Sequence, residues 1–173
     1  MESTRIHPAA LEDDLLLADC DVRRTRRSGP GGQNRNKVET AIVLAHRPSG
    51  LVAEANERRS QAENARVALF RLRLALAVAV RSPVDPGAGA EPSPLWRARC
   101  PGGRIAINPR HDDFPALLAE ALDVIASREM DVRAASGALG CSSSQLIKLL
   151  KDEPRALRQV NERRTQLGLR PLR

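Results

Sequence analysis

Gly31-Gly32-Gln33 lies inside the run RRTRRSGPGGQNRNKVET, residues 23–40. Two consecutive glycines expose backbone N–H groups with no side chain in the way and allow a partner to approach closely. Such N–H groups stabilise a developing oxyanion or a leaving oxygen. The Gln33 amide orients a water but is not a strong base. A loop of this kind does not complete a reaction alone; it suits a setting in which another macromolecule supplies the rest. Arg23, Arg24, Arg26, Arg27, Arg35 and Lys37 surround it. That charge points to nucleic acid, held through its phosphates.

No other chemistry stands out. His7, His46 and His111 are scattered, with no Ser/His/Asp or metal-ligand spacing. Cys20, Cys100 and Cys141 are far apart, odd in number and without a CxxC pair, which argues against a disulfide framework and a zinc site. The expectation is three reduced, mostly buried thiols, no metal and no cofactor.

The flanking elements must position the loop. PAALEDDLLLAD, residues 8–19, reads as a short helix with Pro8 in its first turn and Leu11 and Leu15 on one face. CDVRRTRR has no helical period and reads as a strand leading into the loop. TAIVLAH and LVAEA form a hairpin around RPSG, with Pro48 and Gly50 where a type I turn favours them. A long helix starts at Ser60, whose SQAE sequence is a capping box with Glu63 reaching back. Its predicted apolar stripe is Ala62, Ala65, Leu69, Leu72, Leu76 and Ala79. Arg59, Arg66 and Arg73 recur every seven residues, on a side away from that stripe. Residues 81–96 are rich in Pro, Gly and Ala and read as linker. Gly102-Gly103 reads as an ordinary turn and Arg104 to Ile107 as a short strand.

From Phe114 the pattern is helical, over roughly 113–127, 131–139, 143–151 and 154–167. RAASGALGCSSSQLIKLL fits a helix-turn-helix template: Ala135 and Leu139 point inward, Gly140 turns, and Leu146 and Leu149 anchor the second helix. Ser136 stands where a tight alanine is usual. A plain helical bundle explains the same pattern.

Composition sets the frame. The chain has 173 residues, 42% of them hydrophobic and 2% aromatic, so its core must come from Leu, Val, Ile and Ala. The predicted fold class is α+β: a small antiparallel sheet packed by a long helix over residues 1–80, a Pro/Gly-rich linker over 81–108, and a small all-α module over 109–173. No apolar run is long enough to span a membrane, and the N-terminus lacks the order of a signal peptide. A cytoplasmic protein with no membrane partner is expected. The formal charge of +7 is uneven: residues 23–73 carry twelve Lys/Arg against four acids, and 154–173 carry six against one. The acidic stretch 111–153 lies between these basic blocks, suggesting two surfaces for a polyanion.

SGPGGQNRNKVETAI (28–42), HRPSGLV (46–52) and ERRSQAENARVALFRL (57–72), in that order, resemble the peptidyl-tRNA hydrolysis domain of bacterial-type class I peptide chain release factors and their ribosome-rescue relatives. The resemblance covers roughly residues 10–80. It implies a ribosome-dependent peptidyl-tRNA hydrolase with the ribosome, its large-subunit RNA and peptidyl-tRNA as partners. It makes Gly31, Gly32 and Gln33 catalytic, with the Gln33 backbone N–H at the reacting centre. It places Arg26, Arg27, Arg35, Asn36, Lys37, Arg58, Arg59, Ser60, Gln61, Arg66 and Arg73 on RNA or as buttresses of the loop. The family glutamine is often N-methylated, so a glutamine methyltransferase is an implied partner at Gln33. Asn34 stands where relatives often have His. The helical segment after 108 does not resemble the family's stop-codon-reading domains, which implies codon-independent rescue of stalled ribosomes. Rescue relatives end in a basic tail, whereas here Arg155, Arg158, Arg163, Arg164, Arg170 and Arg173 fall in or after a helix. The other reading is a non-catalytic RNA- or ribosome-binding protein using the arginine surface and the helix-turn-helix-like C-terminus.

Overall fold

The computed structural model describes residues 6–25, 40–84 and 91–173. These divide into two compact units, Leu11–Leu76 and a second formed by Met1–Ala10 with Ala77–Arg173.

The Leu11–Leu76 unit begins with helix α1 (Asp13–Ala18) and strands β1 (Cys20–Thr25), β2 (Ala41–His46) and β3 (Val52–Ala55). Among the described residues these form one antiparallel sheet, in the order β1-β2-β3. The register runs from Cys20 opposite His46 to Thr25 opposite Ala41, and from Ala45 opposite Val52 to Ile42 opposite Ala55. Because side chains alternate across a strand, Val22, Arg24, Ile42, Leu44, Ala53 and Ala55 share one face. Ile42, Leu44, Ala53 and Ala55 are buried there, as an antiparallel sheet covered on one side requires. The cover is helix α2 (Gln61–Ala79), on which Ala68, Leu72 and Leu76 are fully buried. The predicted α+β sheet-and-helix architecture is therefore present.

Several local expectations differ. The predicted helix over 8–19 divides into a 3-10 turn at Pro8–Ala10 and α1, because Glu12 is extended at ψ 151°. The His7 ring nitrogen Nδ1 accepts from the Ala9 N–H at 3.0 Å, which stabilises that separate turn. Leu16, not Leu15, is the buried residue of α1; Leu15 is exposed. On α2, Ala62 and Ala79 are exposed, while Ala68 joins Leu69, Leu72 and Leu76 in the core. The hairpin tip closes through Gly50 N donating to His46 O at 2.8 Å, one residue further back than a type I closing bond. Gly50 takes φ +71°, a left-handed geometry that glycine tolerates.

The second unit contains α3 (Pro94–Arg99), α4 (Phe114–Ser127), α5 (Val132–Ala138), α6 (Ser143–Lys151) and α7 (Pro154–Gln166). Inside the Pro/Gly-rich stretch, α3 buries Trp96, whose Nε1 donates to Leu139 O at 2.8 Å. Arg104–Asn108 forms no strand. The α5–α6 pair has the template's anchors: Ala135, Leu139, Leu146 and Leu149 are buried, and Gly140 turns at φ +65°. Ser136 is buried with its Oγ 3.0 Å from Ser143 Oγ, so the tight position keeps a hydroxyl by giving it a partner. After α7 the chain folds back: Asn161 exchanges two hydrogen bonds with Leu172, and Arg164 Nε donates to Arg170 O at 2.8 Å.

Glu120 and Asp123 on α4 hold both ends of the stretch between α2 and α3. Glu120 accepts from Ser93 N at 2.7 Å and Ser93 Oγ at 2.5 Å; Asp123 accepts from Ser82 N and Arg81 Nη1, each at 3.1 Å. Burial pushes the Asp123 carboxyl up to about 6; Arg81 and the Ser82 N–H oppose that rise, and Glu120 adds to it. A carboxyl that holds its proton more tightly folded than unfolded stabilises the fold at low pH. That contribution is lost as pH rises through its folded pKa. Asp123→Asn is therefore expected to flatten the decline in stability between about pH 4 and 6. Denaturant midpoints followed by helical circular dichroism check this, and an unchanged slope contradicts it.

Among the described residues no helix is long and apolar enough to cross a membrane, and no group of three His, Cys, Asp or Glu is arranged to hold a metal.

Candidate nucleic-acid interface

Strands β1 and β2 pair up to Thr25 opposite Ala41, and the chain between them makes its long excursion from that edge. Gly31, Gly32, Gln33, Arg26, Arg27, Arg35, Asn36 and Lys37 lie in it, outside the described residues. The frame around its two ends is described.

The start of α2 stands beside that frame. Ser60 caps the helix, its Oγ accepting from Glu63 N at 3.4 Å, which is the Ser60 half of the expected capping box. Four residues on, Asn64 is completely buried. Its Nδ2 donates to Thr40 O at 2.6 Å and to Arg58 O at 3.0 Å, and its Oδ1 accepts from Arg58 N at 2.9 Å. One carboxamide thus joins the residue before β2 to the turn before α2. Such bonding accounts for a buried amide in a helix, where asparagine is a poor former.

Arg58 and Arg59 are exposed in that turn. Ser60 and Gln61 are half-buried, and Arg66 is exposed one turn and a half further on. Between α1, β1 and the first half of α2 runs a groove of about 350 Å³. Its walls are apolar, from Leu17, Val22, Ile42, Leu44, Ala62, Ala65 and Leu69; its polar members are Asp13, Arg24, Gln61 and Arg66. Gln61 and Arg66 are therefore brought together, and Arg24 joins them from β1. Arg73 is placed differently. Its side chain is only 12% accessible, and Nη2 pairs with Asp13 Oδ1 at 2.7 Å. The seven-residue spacing puts Arg66 and Arg73 on α2, whereas Arg59 lies in the turn before the helix and Asp13 of α1 holds Arg73.

Two residues of this frame were not singled out as sites by sequence. Arg24 was one cation among many until the register put it opposite Ile42 on the groove face. Asn64 carried a signal, an asparagine inside a helical apolar pattern, but its backbone partners are distant in sequence.

His46 and Glu57 of this unit have shifted pKa values. His46 is buried and its pKa is lowered by that burial, with Nδ1 2.7 Å from Ser49 Oγ. It sits at the opposite end of β2 from Ala41, about 17 Å away at strand spacing. Glu57 has its pKa lowered, first by the Asn56 N–H at 2.8 Å and then by Arg71, whose Nη2 lies 2.5 Å away. What the arrangement provides is a cationic rim, a mostly apolar groove and two anchored loop ends.

In the second unit the six C-terminal arginines are partly committed. Arg155 pairs with Glu153 at 2.7 Å, Arg163 donates to Gln166, and Arg164 donates to the Arg170 and Met130 carbonyls. All three cysteines are free thiols; Cys20 is buried, Cys100 and Cys141 half-buried.

Comparison with known proteins places this frame. Residues 12–84 match the family described as the RF-1 domain. The chain is 48% identical over 60 residues to chloroplastic peptide chain release factor PrfB1 of Arabidopsis thaliana, 35% of this chain and 13% of that protein. It is 40% identical over 70 residues to peptide chain release factor 1 of Brachyspira hyodysenteriae, 39% of this chain and 20% of that protein. It is 42% identical over 73 residues to peptide chain release factor 1 of Chlorobaculum tepidum, 41% of this chain and 20% of that protein. The matches span at most a fifth of these relatives' length, and all involve well under half of this chain. Residues 12–84 thus form an RF-1 domain, similar to the corresponding part of these peptide chain release factors.

Proposed function

We propose that the chain promotes hydrolysis of the peptidyl-tRNA ester on the ribosome and does so without reading a stop codon. The observation that carries this reading is an RF-1 domain whose frame anchors both ends of the Gly-Gly-Gln excursion beside exposed arginines. Gly31 and Gly32 allow the loop to approach the reacting centre closely. The Gln33 N–H meets the oxygen on which charge develops, and its side chain orients or selects water. Water adds to the ester carbonyl, the bond to the tRNA ribose breaks, and the products are a peptide carboxylic acid and tRNA with its terminal hydroxyl restored. The terminal ribose hydroxyl and ribosomal RNA supply the proton transfers that a glutamine cannot.

Arg24, Arg58, Arg59 and Arg66 hold RNA phosphates, assisted by Arg26, Arg27, Arg35 and Lys37. Gln33 is the residue that a glutamine methyltransferase would modify, and the setting for this chemistry is cytoplasmic. The division of labour follows the residues: hydrolysis over 1–80, connection over 81–108, and recruitment by the helices of 109–173. The α5–α6 pair, with its left-handed Gly140 and buried anchors, favours a nucleic-acid role for that last part.

Arg66→Ala is expected to lower the slope of log affinity for ribosomes against log salt by about 0.7 to 0.9, the share of one phosphate contact. Filter binding over a salt series measures it, and an unchanged slope removes Arg66 from the interface. The function itself is tested by single-turnover release of labelled peptide from ribosomes with a stop codon, a sense codon or no codon in the decoding site. Equal rates in all three are expected. Release confined to the stop codon overturns codon independence.

A further inference from the structure

We propose that Asn64 is a positioning residue for peptide release, holding the exit of the 26–39 excursion in fixed relation to Arg58 and Arg59; this rests on the hydrolase reading above. Three observations carry it. The side chain is 0% exposed and spends both amide hydrogens and its carbonyl oxygen on backbone groups. The partners are not local to the helix: Thr40 O lies 24 residues away and Arg58 six. Finally, the two ends of the excursion are anchored differently. Thr25 is held by the sheet register opposite Ala41, whereas the Thr40 carbonyl is held by this amide.

The geometry matters because a loop that works at another molecule's reacting centre transmits any error at its base. A misplacement of about 1 Å costs on the order of 100-fold in rate. Asn64 also fixes the peptide unit of Arg58, so the exposed cations that grip RNA and the chain that carries Gln33 share one support. Alanine or leucine at this site would suit the helix better and would leave Thr40 O, Arg58 O and Arg58 N without partners. The residue therefore serves the loops at some expense to the helix.

The test uses the full chain with Asn64→Ala and Asn64→Asp. Asn64→Ala removes all three bonds. Asn64→Asp keeps the acceptor for Arg58 N but turns an oxygen toward Thr40 O and Arg58 O. The expected result is a fall in the saturating single-turnover release rate of about tenfold or more for both variants, with less than a threefold change in the concentration giving half-maximal rate. Hydrogen exchange at the Arg58 amide should accelerate in Asn64→Ala and stay slow in Asn64→Asp, while the β2 amides stay protected in both. Variants that release peptide at the wild-type rate overturn the inference alone. Loss of β2 protection in both variants also overturns it, because the residue would then be a fold determinant only. A wild-type chain that releases no peptide overturns the hydrolase reading, and this inference with it.

Discussion

Gly32→Ala is expected to lower the single-turnover rate of peptide release by about 100-fold or more while leaving ribosome binding unchanged. The magnitude is that of losing one preorganised hydrogen-bond donor at a developing oxyanion. The expected cause is steric: in the proposed mechanism the backbone at Gly32 approaches the reacting centre, where an added methyl group would intrude and narrow the geometries open to the Gln33 N–H. Gln33→Ala separates the two roles assigned to glutamine. It keeps the backbone N–H and removes the amide that orients water, so release should fall by less than in Gly32→Ala. Binding should resist both changes because the proposed phosphate contacts are those of Arg24, Arg58, Arg59 and Arg66. Parallel loss of binding and release would mean that the loop contributes affinity rather than chemistry.

The second large effect lies in the other unit. Trp96→Ala is expected to destabilise it by about 3 to 5 kcal/mol, the cost of deleting a large buried aromatic. Trp96 is 1% exposed, and its Nε1 holds the Leu139 carbonyl at the end of α5, next to the Gly140 turn. The indole thus ties α3 to the turn of the helix-turn-helix pair. Trp96→Phe keeps most of the apolar contact and loses only the hydrogen bond, which predicts a smaller loss of about 1 to 3 kcal/mol. This is the chain's sole tryptophan, so urea unfolding must be followed by circular dichroism. A change below about 1 kcal/mol in Trp96→Ala would contradict the packing assigned to α3, since deletions on that scale belong to exposed sites.

Such long-range roles explain what the sequence does and does not disclose. The β-branched run at 41–46, the Pro-Ser-Gly tip and the Ser60 cap are local signals, and each marks its element because local sterics and hydrogen bonding decide it. The four C-terminal helices are legible for the same reason, from their apolar period. Legibility fails where a distant element intervenes. Arg73 reads as an outward cation until α1 brings Asp13 to 2.7 Å. Ala62 reads as core, yet it is exposed on the open groove that it lines with Ile42 and Leu44. Trp96 lies in a stretch whose prolines and glycines read as linker, yet Leu139, 43 residues away, gives it a place. In the candidate interface, residue types identify the cations and the glycines, but only tertiary pairing separates Arg24, in the groove, from Arg23 on the opposite face of β1. Asn64 is the extreme case: its residue type stands out within the helical pattern, and its work is visible only through Thr40 and Arg58.

The central claim is that the protein supplies part of a reacting centre and RNA supplies the remainder. The most direct measurement compares hydrolysis of the same labelled peptidyl-tRNA free in solution and bound to the large ribosomal subunit, under single-turnover conditions. The account predicts release on the subunit and, for the free ester, a rate no faster than buffer. Equal hydrolysis of free and bound ester, or no release from the subunit at all, would contradict it.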